Sequence, residues 1–288
     1  ELDRTRVLPD PVDPLEGSAR LPELRPHMIQ AFINRLELAP ASVRLAYKVL
    51  YQALKKAVTL HYIPQNPAEG CTLPRLEQEE IKPMDDKQIT ALLNAARGTE
   101  VEQLITTALF TGCRLSELLG LTWDCVGRDT ITISKQLARP DQRVDGPFIS
   151  PKNGKSRTLM PAPLVLDALK AQKRVQTAAR IKAGPLWDNA YNLVFTTETG
   201  APFDQWRAEA AFKSVLAAAE LSGIRFHDLR HTYAVNAIRA GDDIKTVQGN
   251  LGHASAAFTL DRYGHFTERM KQDSAARMED FIRGVLNL

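Results

Sequence analysis

Two short stretches constrain this chain more than any global property. They are Phe226-His227-Asp228-Leu229-Arg230-His231, and Leu251-Gly252-His253 with Tyr263 beyond it. No other part of the sequence gathers imidazole, guanidinium and phenol at such orderly spacing. Ala234, Val235 and Ile238 follow Arg230 at helical intervals, and Gly241 stands where a helix should stop. Positions three apart share a helix face, so His227 and Arg230 are expected to point the same way. Asp242 or Asp243 then caps a short helix running to Leu251, and Gly252 ends it. A third helix over 256–262 would deliver Tyr263. Three short helices joined by tight turns can collect His227, Arg230, His253 and Tyr263 in one pocket.

His231 lies four residues after His227, which is also metal-ligand spacing. However, Asp228 stands where zinc hydrolases carry Glu, and Arg230 between two ligands would repel a cation. His231 is therefore expected to be a structural residue bonded to neighbouring backbone, and no metal or cofactor is expected. The formal net charge of +3 does not by itself demand nucleic acid, because basic residues can segregate onto one face. With 288 residues, 44% of them hydrophobic, the chain can bury two proper cores. No apolar run approaches the roughly eighteen residues of a membrane helix, so no membrane span and no signal peptide are expected. Cys71, Cys113 and Cys125 are odd in number and far apart, which fits reduced thiols in a cytosolic compartment. Cys113 and Cys125 lie in apolar surroundings and are expected to be buried. The first residue is Glu1 rather than Met, as in a fragment of a longer protein.

The pattern along the chain is mainly α with a small antiparallel β-sheet, an α+β class in two domains. Residues 1–75 read as a small helical domain with an extended N-terminal lead-in. Ile29, Phe32, Ile33 and Leu36 form one helical stripe. Ser42 caps a second helix, whose stripe takes in Val43, Ala46, Val49, Leu50, Ala53, Leu54 and Ala57. Arg44, Lys48, Lys55 and Lys56 decorate that helix, either as a solvated face or as phosphate contacts. Residues 76–83 form a polar linker, and 84–288 a second domain with a C-terminal helix. In it, Asp85 or Asp86 caps a helix to Ala96, another ends before Gly112, and Arg114 opens a new turn with Glu117 three residues on. Arg114 and Glu117 are either a local ion pair or a guanidinium at a pocket floor with its brace. Strands are expected at 130–134, 148–150 and 156–159. The latter two flank Asn153-Gly154, a strong two-residue hairpin signal. Lys152 and Lys155 flank that turn. Helices follow over 164–182 and 206–221, and the last, over 268–286, is amphipathic, with Met270, Ala275, Met278, Phe281, Ile282 and Leu286.

Thr111-Gly112-Cys113-Arg114-Leu115-Ser116-Glu117, the Lys152 turn, His227-Asp228-Leu229-Arg230-His231, Leu251-Gly252-His253 and Tyr263 stand in the order of the tyrosine recombinases. The chain resembles that family, which includes phage integrases and integrases of conjugative transposons, over about residues 22 to 288. The resemblance implies a site-specific DNA recombinase that integrates and excises a mobile element, with residues 1–75 as a helical core-type DNA-binding domain and 84–288 as the catalytic domain. Tyr263 would be the nucleophile, leaving a 3′-phosphotyrosine link and a free 5′-hydroxyl. Arg114 and Arg230 would hold the non-bridging oxygens, and His227 and His253 would complete the cradle and handle protons. Lys152 would protonate the leaving 5′-oxygen, with Lys155 as its rival, while Glu117 and His231 would brace the site. The implied partners are double-stranded DNA at specific sites, three further copies of the chain in a tetramer that exchanges C-terminal helices, and an accessory DNA-bending or excision factor. The implied location is cytoplasmic, in a bacterial or phage-encoded, nucleoid-associated setting, with no membrane. The chemistry agrees. A phosphodiester under attack gathers charge on its equatorial oxygens, which planar Arg forks match bidentately. A phenol of pKa near ten needs a base or a cationic surround, which His227 and both arginines can supply. A non-catalytic helical DNA-binding protein and a metal-dependent hydrolase using His227, His231 and His253 are the competing classes.

Overall fold

The computed structural model describes residues 19–76, 82–139, 146–151, 154–253, 255, 257, 259, 263, 278–279 and 281–286. The chain divides into two compact units, residues 1–80 and 81–288.

In the first unit, α1 (Pro26–Arg35) and α2 (Pro40–Thr59) bury Ile29, Ile33, Val43, Leu54 and Ala57 against Ile63 and Ala68. Both helices place Pro at their first position, where its missing N–H costs nothing and its fixed φ suits the helix. For that reason α2 starts at Pro40 with Ala39 as its cap, not at Ser42 as the sequence suggested. The segment after α2 is tied back by side chains. Tyr47 donates to the Ala68 carbonyl at 2.9 Å, and Gln30 exchanges two hydrogen bonds with the Thr72 backbone. Val49 and Ala53 do not join the buried stripe; Val49 is 64% exposed.

The second unit is built round α4 (Glu102–Thr111), which follows α3 (Asp86–Ala96) and buries Leu104, Ile105, Ala108 and Leu109. Its buried Thr107 and Thr111 hydroxyls donate to carbonyls four residues back, so the helix carries polar groups inward without stranding them. Asp85 caps α3 through the Gln88 amide. After the short α5 (Leu115–Leu119) come β1 (Ile131–Ile133), β2 (Gln136–Leu137), β3 (Phe148–Ile149) and β4 (Arg157–Leu159). Three helices complete the frame: α6 (Pro163–Ala183), α7 (Gln205–Ala218) and α8 (Phe226–Ala240). The last element described throughout is α9 (Ile244–Leu251), capped by Asp243 through the Lys245 and Thr246 amides. Ala257, Thr259 and Tyr263 are helical, as are 278–279 and 281–286; Met270 and Ala275 of the expected final stripe lie outside the described residues.

The strand pairing corrects the sequence reading. β3 and β4, expected to pair across Asn153-Gly154, pair with different partners. β1 lies antiparallel to β4, with Ile131 opposite Leu159 and Ile133 opposite Arg157, while β2 lies antiparallel to β3. Burial decides it. Ile131 and Ile133 are each 1% exposed, and β4 turns Arg157 and Leu159 to that same inner side. The Gly154 amide donates to the Pro151 carbonyl at 2.7 Å, while Lys152 and Asn153 lie outside the described residues.

Candidate active site

Gly112 ends α4 in a left-handed conformation, with φ of 64°. A side chain there would run into Tyr233 and Leu251, so only glycine lets α8 and α9 close on this corner. Two residues later Arg114 caps α5. Its backbone amide donates to Glu117 Oε2 at 2.9 Å and its Nη1 to Glu117 Oε1 at 2.7 Å. Both sequence alternatives therefore hold together, because the ion pair and the pocket wall are the same residue. Arg114 faces a cleft of about 280 Å³, lined also by Ser116, Gln136, Arg139 and His227.

Arg230 reaches the same corner from α8. It is 2% exposed, and its guanidinium donates to the Gly112 carbonyl and to the Leu251 carbonyl, each at 2.7 Å. One side chain thus joins the ends of α4 and α9, and the Gly112 carbonyl it holds lies two residues along the chain from Arg114. Those bonds occupy two of its five N–H donors.

The aromatic groups form a contiguous row. His227 meets His231 edge-on at 5.0 Å between centroids, His231 lies 5.8 Å from Tyr263, and the Tyr263 ring stacks on His253 at 6.4 Å. Tyr263 is 1% exposed, packed among Ala234, Val235, Ile238, Val247 and Leu251. A 2.7 Å hydrogen bond joins its hydroxyl to His231 Nδ1. Sequence reasoning gave His231 a neighbouring backbone partner; the bond to the phenol is one it did not foresee. His253 follows the left-handed Gly252, and its Nδ1 shares a 2.8 Å hydrogen bond with the Thr259 hydroxyl.

Charge in this corner is unbalanced toward cations. Burial and the neighbouring Arg114 charge lower Arg230 to about 10. Burial, then Arg230 and Arg114, lower His253 to about 3, so it is neutral at pH 7. His227 is more open to solvent, yet partial desolvation and Arg230 lower it as well. Glu117 is fully buried. Burial pushes its carboxyl up, but the hydrogen bonds and charges of Arg157 and Arg114 outweigh that and hold it at about 2. The site is shaped to receive an anion, which would relieve the depression of Arg230, His227 and His253 together.

Arg157 was missed by sequence reasoning. It forks both Glu117 oxygens, at 3.0 and 2.7 Å. The available signal was strand alternation, which puts Arg157 on the face of the buried Leu159. Lys152 lies outside the described residues, and Lys155 is exposed. In the first unit Arg44 donates through Nε to the Pro74 carbonyl at 2.8 Å, while Lys48, Lys55 and Lys56 are exposed. Cys113 is buried as expected. Cys125 is only partly buried, and its thiol lies 3.5 Å from the Thr122 hydroxyl and 3.7 Å from that of Ser134. Among the described residues no group of His, Cys, Asp and Glu is arranged to hold a metal ion, and no helix is long and apolar enough to cross a membrane.

Residues 82–270 match the model of the phage integrase family. A tyrosine recombinase XerC-like protein of Caldanaerobacter subterraneus subsp. tengcongensis is 28% identical over 276 residues, covering 88% of this chain and 70% of the relative. The ICEBs1 integrase of Bacillus subtilis is 24% identical over 266 residues, covering 90% of this chain and 70% of its own. Among solved structures, a Tn1549 transposon integrase in complex with a circular intermediate DNA superposes with a TM-score of 0.76 at 21% identity, covering 91% of this chain and 88% of that one. A lambda integrase dimer bound to a core site gives 0.66 at 16% identity, covering 85% and 81%. At these identities the superpositions establish the fold.

Proposed function

Since the chain belongs to the phage integrase family and is a tyrosine-type site-specific recombinase, we propose that it cuts and rejoins double-stranded DNA at the ends of a mobile element through a phosphotyrosine link to Tyr263. The observation that carries the reading is the meeting of Arg230 with the Gly112–Arg114 turn, beside the row of three imidazoles and the phenol. A scissile phosphate seated there takes hydrogen bonds from Arg114 and Arg230 on its non-bridging oxygens, with His227 and His253 completing the ring of donors. The bond from the Tyr263 oxygen to phosphorus forms as the bond from phosphorus to the 5′-oxygen breaks. His231, already bonded to the phenol, takes its proton, and Lys152 supplies one to the leaving oxygen, with Lys155 as the rival donor. The phosphodiester energy stays in the phosphotyrosine bond. Reversal by another 5′-hydroxyl then rejoins the strand.

Lys48, Lys55 and Lys56 of the first unit would sit on phosphates of the duplex; contacts of this kind make affinity salt-dependent. A tetramer that exchanges C-terminal helices is supported by the apolar face at the end of the chain. There Met278, Phe281, Val285 and Leu286 are 57%, 65%, 62% and 59% exposed on a single protomer. An accessory DNA-bending factor fits the same assembly. The test is a nicked duplex carrying the recombination site, incubated with the full chain in EDTA. Wild type should form a detergent-resistant adduct, and Tyr263→Phe should bind the duplex without forming one. An adduct with Tyr263→Phe refutes the choice of nucleophile. Wild type that binds but forms none supports a non-catalytic binding protein, and loss of cleavage with chelator supports a metal hydrolase.

A further inference from the structure

Glu117 is a fully buried carboxylate with two arginines on it, one more than charge balance requires. Arg157 takes it as a fork, and each Glu117 oxygen is then shared with Arg114, Oε1 with the side chain and Oε2 with the backbone amide. The remaining edge of the Arg157 guanidinium is also committed. Nε donates to the Asn250 carbonyl at 2.8 Å, and Nη2 lies 3.7 Å from the Cys113 sulfur. The Asn250 carbonyl belongs to the last turn of α9, three residues before His253 and next to the Leu251 carbonyl that Arg230 uses. Gly252 makes room for this, since a Cβ there would stand 3.0 Å from Arg157 Nη1.

We propose that Arg157 is a positioning residue for the cleavage step, one that neutralises Glu117 so that the charge of Arg114 remains available to the scissile phosphate. The role rests on the reading of Arg114 as a phosphate ligand. With Glu117 and Arg114 alone, the two would form a neutral pair. The carboxylate would orient the guanidinium and cancel its charge at once. Arg157 separates those effects: its fork matches the carboxylate bidentately and takes up the negative charge. Glu117 keeps its hydrogen bonds to Arg114 and holds it in place, and the cluster retains a net cation facing the cleft. Through Asn250 the same guanidinium also anchors the turn that carries His253.

A charge argument makes a prediction that a packing role does not. Arg157→Gln leaves Glu117 to cancel Arg114, and single-turnover cleavage of the nicked duplex should slow by roughly a hundred-fold. Duplex affinity, set by many phosphate contacts, should change little. Adding Glu117→Gln to that variant removes the excess negative charge while keeping an amide oxygen for Arg114, and cleavage should recover to within roughly ten-fold of wild type. Arg157→Lys, which keeps the charge without the fork, should also stay within that range. Folding is followed by tryptophan emission. If Arg157→Gln alone does not fold, the two charge-balanced variants carry the test, because neither leaves a buried carboxylate unpaired. The role is overturned if folded Arg157→Gln cleaves like wild type, or if the balanced variants fold and bind DNA yet do not cleave. Wild type that forms no adduct overturns the phosphotyrosine reading and this role with it.

Discussion

Replacing Glu117 by Gln should remove a specific acid sensitivity from residues 81–288, and its size follows from the geometry. The carboxyl is fully buried and held at about 2 by Arg157 and Arg114 after its burial is overcome. Its reference value is 4.5. A depressed carboxyl stabilises the fold when ionised. The contribution is therefore complete above the unfolded value and is lost as pH falls toward the folded one. At 1.36 kcal/mol per pKa unit the shift is worth about 3 kcal/mol at pH 7, and about 2 kcal/mol of that should be gone by pH 3. Glutamine keeps the shape and an acceptor oxygen but cannot titrate. Breaking the charge pairing costs roughly 3–5 kcal/mol at neutral pH, a large part of the roughly 5–15 kcal/mol that holds a typical domain folded. The assay is urea unfolding between pH 7 and pH 3, followed by tryptophan emission, because the 3 tryptophans, Trp123, Trp187 and Trp206, all lie in this unit. The stability gap between wild type and Glu117→Gln should narrow by about 2 kcal/mol over that range. Parallel pH dependences for the two proteins would mean that Glu117 is not held ionised by the arginines, and the account of the corner would fail with it.

Gly112→Ala should lower the melting temperature, since about 1–2 kcal/mol of left-handed strain adds to about 1–3 kcal/mol of overpacking against Tyr233 and Leu251; an unchanged melting curve would contradict the close approach described. Lys48→Ala and Lys55→Ala should each weaken duplex binding evenly across sequences and reduce the salt slope of log K by about one. A slope equal to that of wild type would remove these lysines from the DNA face. Truncation of residues 268–288 should leave gel-shift binding to a single site intact but reduce joining of two sites, as measured by synapsis. Equal losses in both assays would place the final helix in its own protomer.

Much of the site was legible because it is written in local rules. Gly112, Gly241 and Gly252 sit at left-handed helix ends, and Asp243 caps α9, so the turns that aim Arg114 and His253 could be read residue by residue. The partners those turns bring together could not. Strands of two or three residues carry too little pattern to specify a neighbour, and the Asn153-Gly154 signal said nothing of β1 as the partner of β4. Arg157 escaped notice for the same reason. Its inward direction follows from alternation, but Glu117, 40 residues away, is visible only in three dimensions. The bond from His231 to Tyr263 likewise spans 32 residues. Val49 failed on the helix itself, because an apolar residue at the margin of a stripe is free to face water when the opposing surface is small.

The position of Arg230 shows how the fold makes a corner that favours cations without supplying a matching anion. The Gly112 carbonyl stands at the C-terminal end of α4, and the Leu251 carbonyl ends α9. Each helix end carries roughly half a negative charge, with carbonyls that lack partners of their own. Two such ends meet on one guanidinium, and that is what makes burial of Arg230 tolerable beside Arg114 and Arg157. The compensation is partial, since Arg230 still falls to about 10. Three guanidiniums stand against one carboxylate, and Glu117 is already committed to two of them. Further buried carboxylates would have completed the charge balance and left nothing for a ligand. The shortfall is what a phosphate would fill on the proposed reading. Charge that would build on the phosphoryl oxygens as the phenol attacks would then be met by donors already in place, so their orientation cost would fall on folding and not on the reaction.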